Sequence, residues 1–304
     1  MKIEIAESAG FCFGVNRAVR LVYQLLDEGK KVCTLGPIIH NPQMVKSLAQ
    51  RGVVIAENIS DIPQGFTVVI RSHGITKETE SLLRKKNIPY VDATCPFVAK
   101  IHQLVKEATE AGKFVLIAGD SSHPEVMGFR SYCPGNSYVF SSAEDLESFI
   151  KKREDLHNFP LIVVAQTTFN TKEWKNCLKI MKRVYTNATI FDTICNATFV
   201  RQQEAIALSK RSDVMIVVGG KQSSNTGKLR EVCAEHSRAF LIETASELPM
   251  EEIKKAKSIG LTAGASTPAD IIKEVLETMS EILNNSELNS VEENNGANEV
   301  SFEA

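Results

Sequence analysis

The chain has 304 residues, 43% hydrophobic and 24% charged, an ordinary globular composition. Its formal net charge of -2 excludes a general nucleic-acid binder, which needs a basic surface. Seven cysteines with no C-x-x-C pair exclude a disulfide scaffold and the usual zinc spacing, and no apolar run is long enough to span a membrane.

In chain order, "KIEIA" (2–6) reads as a short strand, and "SAGFCFGVNRAV" (8–19) puts Cys12 at the first turn of an amphipathic helix. The opening "MKIEIAESAG" carries Lys2, Glu4 and Glu7 and no apolar signal core, so a cytoplasmic protein is expected. "FTVVIRS" (66–72), "FVLIAGD" (114–120), "LIVVAQT" (161–167), "VMIVVGG" (214–220) and "SIGLTAG" (258–264) are apolar runs ending in small or polar residues. That is the pattern of buried parallel strands. "TPADIIKEVLETM" (267–279) reads as a helix with Thr267 at the N-cap and Pro268 at N1. The class is α/β. Residues 284–304 hold five Glu and neither Lys nor Arg, and are expected to form a disordered acidic tail.

A repeat organises the chain. "VDATCPFVAKIHQ" (91–103) and "FDTICNATFVRQQ" (191–203) share an Asp, a Cys three residues on, and a helix. Counting 24 residues from Cys12, Cys95 and Cys195 reaches Gly36, Gly119 and Gly219, each at a strand end. Four residues further stand His40, His123 and Ser223. The expectation is three pseudo-symmetric α/β lobes with short parallel sheets, 1–93, 94–192 and 193–283, whose cysteines converge at the centre.

Three thiolates without a fourth suit zinc with an open or histidine-filled position, or an iron–sulfur cluster with one iron free. Helix starts lower thiol pKa values and serve either choice. Phe11, Phe13 and Phe97 give an apolar shell that favours the cluster. Cys33, Cys133, Cys177 and Cys233 lack the repeat offset and read as buried structural thiols. Ligands of parallel sheets bind at strand carboxyl ends. There stand His40, His73, His123, Glu125, Gln166, Thr167, Thr168, Ser223, Ser224, Asn225 and Ser266, an anion site without a Lys/Arg clamp that suits phosphate or diphosphate. Glu125 is the carboxylate of the set, either a helix-capping residue or a proton donor with Thr167 or Thr168 as relay. His102, His157 and His236 lie away from strand ends and take no role. "GGKQSSNTGKL" fails the P-loop pattern, since Leu229 stands where Ser or Thr is required.

Taken together, "GFCFGVNRAV", "GPIIHNPQMV", "RSHG", "DATCPFV", "HPEVMG", "AQTT", "DTICNAT", "SSNT" and "TAGASTP" resemble the 4-hydroxy-3-methylbut-2-enyl diphosphate reductase family, from Met1 to about Leu283. The resemblance implies a three-lobed fold around a 4Fe-4S cluster, one per chain, with Cys12, Cys95 and Cys195 as ligands and one iron open to substrate. It implies His40, His73, His123, Ser223, Ser224, Asn225 and Ser266 as the diphosphate set, and Glu125 as the proton-transfer residue with Thr167 beside it. The reaction implied is reductive removal of an allylic hydroxyl to give isopentenyl and dimethylallyl diphosphate, with ferredoxin or flavodoxin as electron donor. A cluster enzyme of the quinolinate synthase type and a non-enzymatic iron–sulfur sensor are the competing readings. The diphosphate set argues against the first, and the polar pocket against the second.

Overall fold

The computed structural model describes residues 2–296. Every strand pairing among them is parallel, and the strands form three four-stranded sheets. β1 (Lys2–Ile5) leads through a loop into α1 (Phe13–Asp27). The first complete run is β2 (Val32–Leu35), α2 (Pro42–Gln50), β3 (Val54–Ala56), β4 (Thr67–Ile70), α3 (Lys77–Lys85) and β5 (Tyr90–Asp92). The second is α4 (Pro96–Glu110), β6 (Phe114–Ala118), α5 (Pro124–Arg130), β7 (Ser137–Phe140), α6 (Ala143–Lys152), β8 (Leu161–Ala165), α7 (Thr171–Val184) and β9 (Ala188–Ile190). The third is α8 (Asn196–Ser209), β10 (Val214–Val218), α9 (Ser224–Ala234), β11 (Arg238–Ile242), α10 (Met250–Lys255), β12 (Ser258–Ala263) and α11 (Ala269–Gly296).

The strand orders are β3-β2-β4-β5, β7-β6-β8-β9 and β11-β10-β12-β1, one order used three times. The sheets of β2–β5 and β6–β9 fall within residues 1–93 and 94–192, and the third sheet within 193–283 except for β1, which pairs with β12 at its edge. The strand before Cys95 and the strand before Cys195 each pair at the edge of the sheet that precedes them in the chain. By packing, the chain divides into two compact units, Cys12–Val200 and Met1–Phe11 with Arg201 onward.

Both faces of the sheets are covered, which is why their strands read as unbroken apolar runs. In β6 and β8, Phe114, Leu116, Leu161 and Val163 face Phe149, Trp174, Cys177 and Met181. Val115, Ile117, Ile162 and Val164 face Ile101, Val105, Val126 and Phe129 from α4 and α5. Burying each such side chain contributes about 1.5–3 kcal/mol. Cys33, Cys133, Cys177 and Cys233 are fully buried, as expected of structural thiols.

Two local expectations at the C-terminus change. α11 begins at Ala269, so Pro268 and not Thr267 stands immediately before it, and the Thr267 hydroxyl donates to the Val218 carbonyl at 2.9 Å. The expected disordered tail from 284 is helical as far as Gly296, since neither Pro nor Gly interrupts α11 before that residue, and 297–304 lie outside the described residues. Among the described residues no helix is long and apolar enough to cross a membrane.

Candidate functional site

The repeat offset has a structural cause. Gly36, Gly119 and Gly219 each donate their N–H to the last residue of the neighbouring strand, to Ala56, Phe140 and Ile242 at 2.9, 2.9 and 2.8 Å. The chain turns there and starts a helix. Gly36 has φ +68°, and a Cβ would stand 2.8 Å from the Arg71 guanidinium. At Gly119 a Cβ would stand 2.8 Å from Val126. The residues at the offset of four lie at those helix starts. His123 caps α5, Ser223 caps α9, and His40 precedes Asn41, the cap of α2.

Within the unit Cys12–Val200 the three cysteines share one setting. Each accepts the first helical bond at its carbonyl, from Asn16, Ala99 and Phe199 at 2.9, 2.9 and 3.0 Å. Each is half-buried and free of a disulfide. Burial pushes the Cys95 and Cys195 thiols up. Backbone N–H groups of Phe97 and Val98, and of Ala197 and Thr198, oppose that, while Cys12 and Cys195 act through space on Cys95, and Cys12 and Glu125 on Cys195. A Cβ on Gly14 would stand 2.6 Å from the Cys95 sulfur, so only glycine lets α1 approach it. Yet the cysteines are not gathered as for a single ion; among the described residues that arrangement belongs to His40, His73 and His123. Three half-buried thiols at helix starts are donors of the kind that zinc and iron–sulfur centres use.

The same unit brings together the three histidines. Their ring centroids lie 4.8 Å (His40–His73), 5.4 Å (His73–His123) and 5.9 Å (His40–His123) apart. Burial lowers all three pKa values, His123 to about 4 and His73 well below its ordinary value, and Arg71 lowers each further. All three are therefore neutral near pH 7. His123 Nδ1 accepts the Glu125 N–H at 3.2 Å, which leaves the ring proton on Nε2. His73 Nδ1 is buried without a protein partner. Sequence reading missed Arg71, the arginine of "RSHG". The site does contain a cation, contrary to the expected anion site without one. A guanidinium acting on all three rings favours an anion over a metal ion in that space.

Glu125 is 1% exposed, so it is not a surface capping residue. Its Oε1 accepts the Thr167 N–H at 2.7 Å and its Oε2 the Thr167 hydroxyl at 2.8 Å. Burial raises its pKa to about 7 despite those bonds. The Thr167 carbonyl in turn accepts the Cys195 N–H at 3.0 Å, so one residue ties the acid to a cysteine turn. Gln166 Oε1 accepts the Asp120 N–H at 3.1 Å, and its amide donates to Thr168 at 3.0 Å. His102, given no role from sequence, packs between the Gly74 turn and α5. A Cβ on Gly74 or on Gly128 would stand 3.1 Å from its ring.

In the other unit, the remaining expected residues lie on two loops that meet. Ser223 Oγ accepts the Thr226 N–H at 3.4 Å. A Cβ on Gly219 would stand 2.6 Å from Thr267 and 2.9 Å from Thr226, which brings the 223–226 turn and the 264–267 loop of Ser266 together. Asn225 is 5% exposed, and its Nδ2 has no protein partner. Ser224 is half-buried at the start of α9.

Fold and side chains define the class: a parallel α/β protein with three half-buried thiols at helix starts and, in the same unit, three neutral histidines and a buried acid. The profile of the LytB protein family matches residues 3–280, and the chain belongs to that family. It is 43% identical over 282 residues to a 4-hydroxy-3-methylbut-2-enyl diphosphate reductase of Thermoanaerobacter sp. (strain X514), covering 91% of this chain and 96% of the relative. It is 40% identical over 290 residues to the reductase of the same name from Alkaliphilus oremlandii, covering 93% and 100%. Among solved structures it is similar to the E-1-hydroxy-2-methyl-but-2-enyl-4-diphosphate reductase of Plasmodium falciparum, with TM-score 0.86, 27% identity, and 91% and 87% of the two chains covered. A second structure, titled as the terminal enzyme of the non-mevalonate pathway, has TM-score 0.66 and 41% identity, covering 92% and 100%.

Proposed function

We propose that the chain is a reductase that converts (E)-4-hydroxy-3-methylbut-2-enyl diphosphate to isopentenyl and dimethylallyl diphosphate, the last step of the methylerythritol phosphate route. The observation that carries this beyond family membership is the buried Glu125 acid, tied through Thr167 to the turn of Cys195 and through His123 to the histidine pocket. Cys12, Cys95 and Cys195 would hold a 4Fe-4S cluster. When bound, it supplies single-electron transfer and an iron with an open position that polarises the allylic C–O bond. Overall, two electrons and two protons enter, one C–O bond breaks, one C–H bond forms and water leaves.

The chain's own residues bind and protonate. The neutral imidazoles of His40, His73 and His123 offer N–H donors to the diphosphate, and Arg71 adds a formal positive charge. Ser223, Ser224, Asn225 and Ser266 are the hydroxyl and amide donors proposed for substrate binding on their own unit. Glu125, protonated up to about pH 7, holds the proton at a carboxyl oxygen, and the Thr167 hydroxyl orients or relays it. A ferredoxin or flavodoxin in the cytoplasm is the proposed electron donor. Anaerobic assay of the iron- and sulfide-reconstituted protein with the hydroxylated diphosphate and a one-electron donor tests the reading. Formation of both products supports it. Dehydration without net reduction, or no turnover at full iron loading, contradicts it.

A further inference from the structure

Two of the three cysteine turns are held by an arginine from elsewhere in the chain. On α1, Arg17 stands five residues after Cys12. Its Nη1 donates to the Thr94 carbonyl at 3.1 Å and its Nη2 to the Asp92 carbonyl at 3.3 Å. Those carbonyls belong to the turn that ends in Cys95, and the Asp92 carboxylate closes that turn by accepting the Thr94 N–H at 2.8 Å. On α8, Arg201 stands six residues after Cys195 and is 5% exposed. Its Nη2 donates to the Gly10 carbonyl at 2.5 Å.

One turn further along α8, Glu204 accepts the N–H groups of Glu7 and Ser8, at 2.5 and 2.9 Å, and the Ser8 hydroxyl. Burial works against a charge on Glu204, but the bonds from Ser8 and Glu7 and the nearby Arg201 outweigh it, and it stays ionised. Residues 7–10 lead directly to Cys12, and Gly10 has φ +103°, a left-handed turn that suits glycine. These contacts join residues 75 to 197 positions apart. On α4 the residue five after Cys95 is the exposed Lys100; Cys195 donates its N–H to the Thr167 carbonyl and Cys95 donates its own to the Ser72 carbonyl, each at 3.0 Å.

We propose that Arg17 and the Arg201–Glu204 pair are positioning residues for the three-thiol centre: each stands on a helix capped by one cysteine and holds the loop that carries the next. The inference rests on the reading that these cysteines bind iron. Thiols on three separated loops meet at one centre only if those loops are fixed before the metal arrives. Guanidinium bonds to loop carbonyls do this without occupying the thiols. α1 and α8 thereby each follow their own cysteine and brace the turn of the next.

The test compares the anaerobically reconstituted parent with Arg17→Met, Arg201→Met and Glu204→Gln. It measures iron release to a ferrous chelator, the EPR spectrum of the cluster, and the melting temperature of the iron-free proteins. The expected result is iron release about tenfold faster in each variant, the loss of roughly one charged hydrogen bond, with a changed EPR line shape and, in Arg17→Met, an unchanged iron-free melting temperature. Because Arg201 is buried and its replacement can prevent folding, the half-exposed Arg17 decides the matter. Release at the parent's rate with an unchanged spectrum overturns the proposal. So does faster release that merely follows a lowered melting temperature, which marks general destabilisation. A parent that takes up no iron overturns this proposal together with the reading it rests on, whereas an iron-loaded parent matched by Arg17→Met overturns the proposal alone.

Discussion

Glu125 carries the sharpest consequences at the scale of single residues. Its folded pKa of about 7 lies above the ordinary 4.5, so the folded chain keeps a proton that the unfolded chain releases. That contribution is intact below pH 4.5, is lost as the pH rises toward 7, and is absent above it, a difference of about 3 kcal/mol. Glu125→Gln removes the charge that burial opposes. The iron-free variant should therefore melt above the parent at pH 8, with the gap closing at pH 4.5; thermal melts at the two pH values check this, and a gap independent of pH contradicts it. Turnover of the iron-loaded variant should fall by roughly two to four orders of magnitude at unchanged iron content.

Arg71 makes a second residue-level prediction. Burial depresses the histidine pKa values most, the neighbouring rings add to it at His73 and His123, and this guanidinium lowers all three further. Arg71→Met should raise the histidine titrations, followed by NMR, and weaken substrate binding about tenfold, the order of one charge-assisted bond. Unmoved titrations would place the guanidinium outside the site. Neither burial nor Arg71's role was legible in the sequence. "HPE" reads equally as an exposed helix cap, and an arginine at a strand end reads as surface until the fold brings three rings to it.

At the scale of elements, the strand–glycine–helix unit was legible because its constraint is local. A chain leaving a buried parallel strand must turn at once, and the turn needs a residue without a side chain where Arg71 or Val126 approaches. Gly14 belongs to the same class of close approach. Gly14→Ala puts a methyl 2.6 Å from the Cys95 sulfur and should reduce iron loading at least several-fold, measured as iron per chain after reconstitution. Gly227, within α9, has nothing within 4 Å of the added Cβ. Gly227→Ala should leave iron loading unchanged and stabilise the chain by about 0.5–1 kcal/mol, read from denaturant melts. Equal loading in the two variants would remove the packing reason for Gly14. Less legible was the partner of each cysteine-bearing strand. "KIEIA" shows a strand, but its partner, "SIGLTA", lies more than 250 residues away.

At the scale of the whole molecule, three copies of one strand order, each with a cysteine-capped helix after its edge strand, supply one thiol apiece. The 24-residue offset makes this repetition legible in the sequence. What it could not show was the cyclic closure, in which β1 completes the last sheet, since closure depends on edges that meet only in the folded chain. The central claim is that three cysteines, and not the other four, hold one iron–sulfur centre that the substrate-reducing chemistry requires. The most direct measurement is iron and acid-labile sulfide per chain after anaerobic reconstitution, beside turnover, for the parent, for Cys12→Ser, Cys95→Ser and Cys195→Ser, and for Cys177→Ser. The account predicts about four irons in the parent and in Cys177→Ser, with iron and turnover lost together in each of the other three. Stoichiometric zinc in place of iron, or full iron and turnover in any of those three variants, would contradict it.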